Sequence, residues 1–398
     1  MTYPTIRPAL MLDFQKSKKL DPRITFSRSS TATYLDAATG LIKTAPSGVA
    51  RFEKEGLLVE ESRTNDTYPS TFDGTLGTWR SGTNYIVINQ TIAPDGTNTG
   101  ALLNHEMVGA SGNLNFDSGT PQVSGTRSFS FWCKTASPGA GTEMKLELVN
   151  WTFSDGATGT RRYTLDFDTG TTSIYNGTGD DLEVQPYPNG WFRVLISNVT
   201  NSATNSGFLS FRKNQNTQNW YIWGMQSEEA TFPTSYIPTT NATVTRAADV
   251  VSMTAYPYLY GTFVAEYKHI VPRTVQHRHI FAVGNANGFL TFECRSMYDS
   301  NSDSNFVILG MPQIADVVSA FTETSGFNTV SVVRIVGDYA VCVNGGSVGT
   351  STSTSDQTNN SVITFKYGRN GLDSSGYISR FTFYPERVSN ASLQELTS

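Results

Sequence analysis

The sequence predicts an all-β protein: two antiparallel β-sandwich (jelly-roll) modules carrying an extended N-terminal arm. Three observations predict it. Charged residues make up only 16% of the 398-residue chain while glycine occurs 34 times, the composition of a turn-rich β protein. Short apolar runs alternate at period two, and long Leu/Ala/Glu/Lys stretches at helical spacing are missing. Clusters of Ser, Thr, Asn, Gly and Pro separate those runs at the spacing of sandwich strands.

Residues 1–65 form the arm, punctuated by Pro4, Pro8, Pro22 and Pro46. Arg23-Ile24-Thr25-Phe26 and Gly56-Leu57-Leu58-Val59-Glu60 are expected strands. Thr33-Tyr34-Leu35-Asp36 and Leu41-Ile42-Lys43 are an expected hairpin across Ala37–Gly40. The arm has too few large side chains to bury a core alone. It is expected to lie on the first module or on a neighbouring chain. Ile24, Phe26, Tyr34, Leu57 and Val59 alternate as in strands added to an existing sheet, which marks them as an assembly arm.

Residues 66–245 are the first module. Phe129, Phe131 and Cys133 share one strand face; Met144, Leu146 and Leu148 do the same. Tyr163, Leu165 and Phe167 follow, then Phe192, Val194 and Ile196, Leu209 and Phe211, and the run Trp220–Trp223. Such a series is an antiparallel sandwich, usually a jelly roll at this length. Pro233–Ala248, rich in Pro, Thr and Asn, is the expected linker. Residues 250–398 are the second module, with strands at Gly261–Tyr267, Ile280–Val283, Phe289–Phe292, Asn305–Leu309, Asn328–Val333, Tyr339–Asn344, Ile363–Gly368 and Gly376–Tyr384. A short helix should follow, capped by Ser389 or Asn390.

Composition excludes several function classes. The net charge of −5 and pI near 5.5 leave no basic stripe for nucleic acid. Lys16-Ser17-Lys18-Lys19 reads as a solvated stretch of the arm. Cys133, Cys294 and Cys342 are odd in number and far apart, so neither a disulfide framework nor a zinc site is expected, and each sits in an apolar run as a small buried hydrophobe. The opening Met-Thr-Tyr-Pro carries no signal-peptide pattern and no apolar run is long enough to span a bilayer. Synthesis in a reducing cytoplasm without membrane insertion is therefore expected.

Few residues are placed for chemistry. Glu143, Glu147, Asp166 and Asp168 lie on predicted strands, and Asp166 and Asp168 share a face; a solvated strand face is the expected role. His277 and His279 flank Arg278 on one strand, two imidazoles where a metal site needs three or more ligands. No catalytic residue, metal or cofactor is expected. Trp151, Tyr187, Trp220 and Tyr221 are the candidate sugar-stacking residues, with core packing as their competing role. Trp191 and Trp223 are assigned to the core.

The run from Leu12 to Asn65, with SKKLDPRITFSRSSTATY, GLIKTA, RF and GLLVEESRTN, resembles structural proteins of tailed bacteriophages. So do WGMQSEEATFPTSYIPTTNATVTRAAD, from Trp223 to Asp249, and the turn Tyr187-Pro188-Asn189-Gly190-Trp191-Phe192-Arg193-Val194. Val343-Asn344-Gly345, Ile363–Gly368 and Gly376–Tyr384 resemble concanavalin A-like (laminin G-like) sandwiches, a likeness that bears on fold rather than function. The first resemblance implies a non-enzymatic virion protein on the particle surface, a tail fibre or tail-associated adhesin, with capsid decoration as the alternative and a depolymerase third. The Glu-x-Asp-x-x-Glu strand motif of concanavalin A-like glucanases is missing from the sequence. Expected partners are other virion proteins, further copies in a homo-oligomer, with a trimer expected, and host cell-surface polysaccharide.

Overall fold

A computed structural model of the chain describes residues 6–72, 79–81, 86–104, 113–117, 125–136, 143–167, 171–175, 177, 181–201, 207–212, 219–254, 260–270, 277–284, 290–299, 304–311, 314–323, 326–354, 362–365 and 375–398. It is all-β apart from short helical segments, and its sheets are antiparallel. The chain divides into two units, each assembled from separated stretches. The first takes Met1–Asp36, Ala45–Ser62 and Ala247–Ser398; the second takes Ala37–Thr44 and Arg63–Arg246.

The first unit is a two-sheet sandwich. One sheet runs in the order Gly349–Ser351, Tyr339–Val343, Asn328–Arg334, Gly261–His269, Gly376–Tyr384, Gly56–Val59 and Arg51–Glu53. Leu10–Asp13 shares the edge of Gly376–Tyr384 with Gly56–Val59. The other sheet runs Ile24–Ser27, Val250–Thr254, Val362–Phe365, His277–Gly284, Leu290–Asp299, Ser304–Met311 and Ile314–Phe321. Their inward residues share one core, in which the Phe263 ring lies 5.7, 6.1 and 4.9 Å from those of Phe281, Phe292 and Phe383. The hairpin turn at Asn344 and Gly345 has φ of 47° and 68°, the left-handed pair that a two-residue Asn-Gly turn requires. Ser389 caps the C-terminal helix Asn390–Thr397 by accepting from the Ser392 amide at 3.1 Å.

The expected arm is corrected here. Leu10 and Leu12 sit opposite Phe383 and Phe381, Ile24 opposite Met253, and Leu57 opposite Ile378. Leu10, Leu12, Phe14, Ile24, Leu57 and Val59 are all buried in the same core as the C-terminal strands, and Phe26 packs against it. Tyr34 is half-buried in the strand Ala32–Asp36. The assembly-arm residues do add strands to a sheet, but the sheet belongs to the C-terminal part of their own chain. Period-two alternation identifies such strands without saying which edge they complete.

A buried ion cluster fastens these segments. Arg28 Nη1 lies 2.9 Å from Asp249 Oδ1, and Arg51 bonds Asp249 Oδ2 at 2.5 Å and Glu60 Oε2 at 2.7 Å. The Glu60 amide donates to Asp249 Oδ2 at 2.9 Å, and the Asp249 amide donates to the Glu60 carbonyl at 2.8 Å. Two arginines and two carboxylates balance in charge, and backbone donors use the remaining lone pairs, the condition for tolerable burial.

Nearby Glu53 accepts from the Leu35 amide at 2.8 Å and the Tyr377 hydroxyl at 2.7 Å. Burial raises its carboxyl pKa above the ordinary 4.5. The folded state therefore holds this proton more tightly than the unfolded chain. That contribution to stability is present below the ordinary value and is lost as pH rises through the folded one. Glu53→Gln should be more stable than the native protein in mildly alkaline buffer, with the gain shrinking toward pH 4 in thermal melts. A gain that grows on acidification would refute this sign.

The second unit is also a sandwich. Its twelve-stranded sheet forms two halves joined, among the described residues, through the registered pair Thr152–Thr200. One half holds Trp79–Ser81, Asn113–Asp117, Phe208–Arg212, Glu143–Thr152, Thr158–Asp166 and Thr171–Tyr175. The other holds Leu182–Pro186, Phe192–Asn201, Gly125–Thr135, Trp220–Glu228, Gly100–Leu103 and Ile86–Thr91. Phe131 and Phe211 meet edge-on across the core at 5.1 Å. Phe129, Phe131, Cys133, Met144, Leu146, Leu148, Tyr163, Leu165, Val194, Ile196, Leu209 and Phe211 are all buried there, as their alternation predicts.

The stretch 233–248 is not an exposed linker. Thr234, Tyr236, Ile237, Thr239 and Arg246 are buried. Gln226 Oε1 accepts from the Ile237 amide at 2.7 Å, and Glu228 accepts from the Thr234 amide at 2.9 Å. Asn65 accepts from the amides of Thr67 and Ser227 at 2.9 and 3.1 Å and donates to the Ile237 carbonyl at 2.9 Å. Proline and threonine here build a hydrogen-bonded wall, a role that composition alone does not separate from a linker.

Candidate functional site

The second unit carries an aromatic cluster on the face of its sheet opposite the core. In Gly125–Thr135, Phe131 and Cys133 point inward, so Trp132 and Lys134 point to the other face. Tyr221 and Trp223 do the same in Trp220–Glu228, and the registers pair Trp132 with Trp223 and Lys134 with Tyr221. Trp132, Trp223 and Tyr236 pack mutually, with ring centroids 5.3, 5.6 and 4.6 Å apart. Tyr187 stands edge-on to Trp132 at 5.7 Å, and the Arg193 guanidinium lies 4.8 Å over the same ring. Trp191 donates to the Ile92 carbonyl at 3.2 Å and Trp223 to Thr99 Oγ1 at 3.0 Å, so both indoles are satisfied.

The rim of this cluster is open. Tyr187, Tyr221 and Lys134 are half-buried. Cross-strand register extends the row: Tyr221 sits opposite Leu102, and Leu102 opposite Val87 on Ile86–Thr91, the terminal strand of the sheet order. Val87 is 36% exposed and Ile92, just beyond the strand, 55%. The row Val87–Leu102–Tyr221–Lys134, beside Tyr187, combines apolar and aromatic surface with one cation.

Two of the four candidate sugar-stacking residues are corrected. Trp151 is 1% exposed and edge-on to Phe129 at 5.5 Å inside the core. Strict alternation from buried Leu148 would turn it outward. A register shift between Leu148 and Trp151, with Asn150 at φ 62°, turns it in instead. Trp220 is 2% exposed, in phase with buried Ile222, and packs 5.0 Å from Phe167. Neither ring offers a face to a ligand. Tyr187 and Tyr221 remain; Trp191 and Trp223 are buried as expected, but in the cluster on the opposite face of the sheet.

Of the candidate acids, Glu143 keeps the exposed position expected of it, whereas Glu147 is buried rather than on a solvated face. Glu147 accepts from Arg162 Nε at 2.7 Å. Asp166 faces exposed Glu143 in register, while Asp168 lies outside the described residues. Buried Arg161 bonds both oxygens of Asp155 at 2.7 Å and also pairs with buried Asp181, a cluster without a sequence signal because its members come from three loops and strands. His279 is buried with Nδ1 3.6 Å from Glu293 Oε2; the side chain of His277 lies outside the described residues. Among the described residues no group of three or more His, Cys, Asp or Glu could hold a metal ion. Ser296 Oγ and His269 Nε2 are 2.9 Å apart, a pair the sequence did not suggest, but Ser296 is fully buried and its hydroxyl cannot meet a substrate. Cys133, Cys294 and Cys342 are free and buried, and burial raises all three thiol pKa values, the inert role expected of them.

No protein-family model matches the chain, and no curated protein matches it. Solved structures similar to it include the native heptameric SAP-like pentraxin of Limulus polyphemus, 14% identical over 34% of this chain and 69% of that one, with a TM-score of 0.27. The carbohydrate-binding module CBM40 of the Ruminococcus gnavus IT-sialidase, bound to alpha2,3 sialyllactose, is 18% identical over 35% of this chain and 83% of that one, with a TM-score of 0.24. Domains LG4-5 of the mouse laminin alpha1 chain are 9% identical over 68% of this chain and 84% of that one, with a TM-score of 0.21.

Proposed function

We propose that the chain is a non-enzymatic surface protein of a tailed-bacteriophage particle, a tail fibre or tail-associated adhesin that works as a homo-oligomer and binds host-surface glycan through the Tyr187–Tyr221 rim. The observation that carries the reading is the place of its two diagnostic sequence runs. Arg28, Arg51, Glu60 and Asp249 from those runs form the buried ion cluster of the first unit. Asn65, Gln226, Glu228, Thr234 and Arg246 interlock in the second. The resemblance thus rests on the residues that hold this architecture, not on surface composition. Commitment of Glu60, Glu147, Asp181 and Asp249 to arginines favours binding over acid-base cleavage.

Electron microscopy of the assembled particle should place the protein on the tail; density on the capsid shell or none at all would refute that part. Binding to host polysaccharide should fall about fivefold in Tyr187→Ala and again in Tyr221→Ala, given about 1 kcal/mol per stacked ring. Unchanged binding in the double variant would remove the rim from the account while leaving the particle position untouched.

A further inference from the structure

We infer that Asn189 is a site of spontaneous deamidation, set apart from the other Asn-Gly pair among the described residues, Asn344-Gly345. The inference is independent of the proposed function. The Gly190 nitrogen attacks Asn189 Cγ, the new N–C bond forms, the Cγ–Nδ2 bond breaks, and ammonia leaves with the proton. Solvent water then opens the cyclic imide at either carbonyl, giving aspartate or isoaspartate without oxidant or reductant.

The two sites differ in what must break first. Asn189 and Gly190 are exposed in the turn Pro188–Gly190, whose closing bonds, the Trp191 amide to the Pro188 carbonyl at 3.4 Å and the Tyr187 amide to the Trp191 carbonyl at 2.8 Å, engage neither the Asn189 side chain nor the Gly190 nitrogen. Asn189 sits at φ 62°, ψ 30°, and opening of the turn lets ψ rotate toward attack. Gly190 has no side chain to obstruct its nitrogen. A β-carbon placed there would meet only Lys134 Cε, at the ordinary contact distance of 3.6 Å, so the approach to the nitrogen is open.

Asn344 is locked. Its Oδ1 accepts from the Thr329 amide at 2.9 Å and its Nδ2 donates to Asn328 at 2.8 Å. The attacking nitrogen, that of Gly345, is itself engaged with Thr397 Oγ1 at 3.0 Å. Three hydrogen bonds to open first should slow this site on the order of a hundredfold relative to Asn189. Asn176-Gly177, Asn287-Gly288 and Asn370-Gly371 lie wholly or partly outside the described residues. Conversion at Asn189 places a carboxylate two residues from Tyr187.

The test is peptide mapping by mass spectrometry of the full-length protein held in mildly alkaline buffer. The Asn189 peptide should gain the acid forms while the Asn344 peptide stays amidated. Unfolding in denaturant should bring the two rates together. Equal rates in the folded protein, or a difference that survives unfolding, would overturn the inference.

Discussion

Asp249→Ala should unfold the first unit and leave the second standing. The substitution strands the Arg28 and Arg51 guanidiniums, both fully buried, and removes the acceptor of the Glu60 amide. Breaking a buried pair by deleting one partner costs about 3–5 kcal/mol, a large share of the 5–15 kcal/mol that holds a typical domain. The two units can be read separately. All six tryptophans, at positions 79, 132, 151, 191, 220 and 223, belong to the second unit. Tryptophan fluorescence should therefore keep its native transition, while far-UV circular dichroism gains an early step from the first unit. A single transition that moves both signals together would show that the cluster does not act on the first unit alone.

Residues 247–398 produced alone should not fold. The fragment lacks Leu10, Leu12, Phe14, Ile24, Leu57 and Val59, all buried in its core. At about 1.5–3 kcal/mol for each buried side chain, the loss is about 9–18 kcal/mol and exceeds the stability of an ordinary domain. It would also leave the edge of Gly376–Tyr384 and that of Val250–Thr254 unpaired. Residues 1–62 joined to 247–398 by a short flexible linker in place of 63–246 should restore a cooperative β fold. A soluble, cooperatively melting 247–398 fragment would contradict this.

Local pattern carried much of this fold into view before any coordinates. The alternation at Phe129–Cys133, Met144–Leu148 and Tyr163–Leu165 marked both strand and buried face, because a period-two pattern is written in adjacent residues. Gly376–Tyr384 and the Ser389-capped helix were legible for the same reason. The partners of the N-terminal strands were not. Leu10 meets Phe383 and Ile24 meets Met253, and no local rule encodes pairings over such separations. Trp151 failed through a single bulge at Asn150, which inverts the parity on which the expectation rested. At the candidate rim, sequence found Tyr187 and Tyr221 but not their neighbours Val87 and Leu102, which only cross-strand register brings alongside. The charged residues of the two phage-like runs carry no local signal of burial. Their burial became visible only once Arg28, Arg51, Glu60 and Asp249 met in space.

The central claim is that the N-terminal strands complete the C-terminal sandwich of their own chain. Met11 stands directly opposite Thr382 in the pairing of Leu10–Asp13 with Gly376–Tyr384, a separation that suits a disulfide. The native cysteines are buried and should not compete. Oxidised M11C/T382C protein, run unreduced on a denaturing gel, should migrate as a monomer of altered mobility that reverts on reduction. Covalent dimers or a higher ladder would show that the strand is exchanged between copies and would contradict the account.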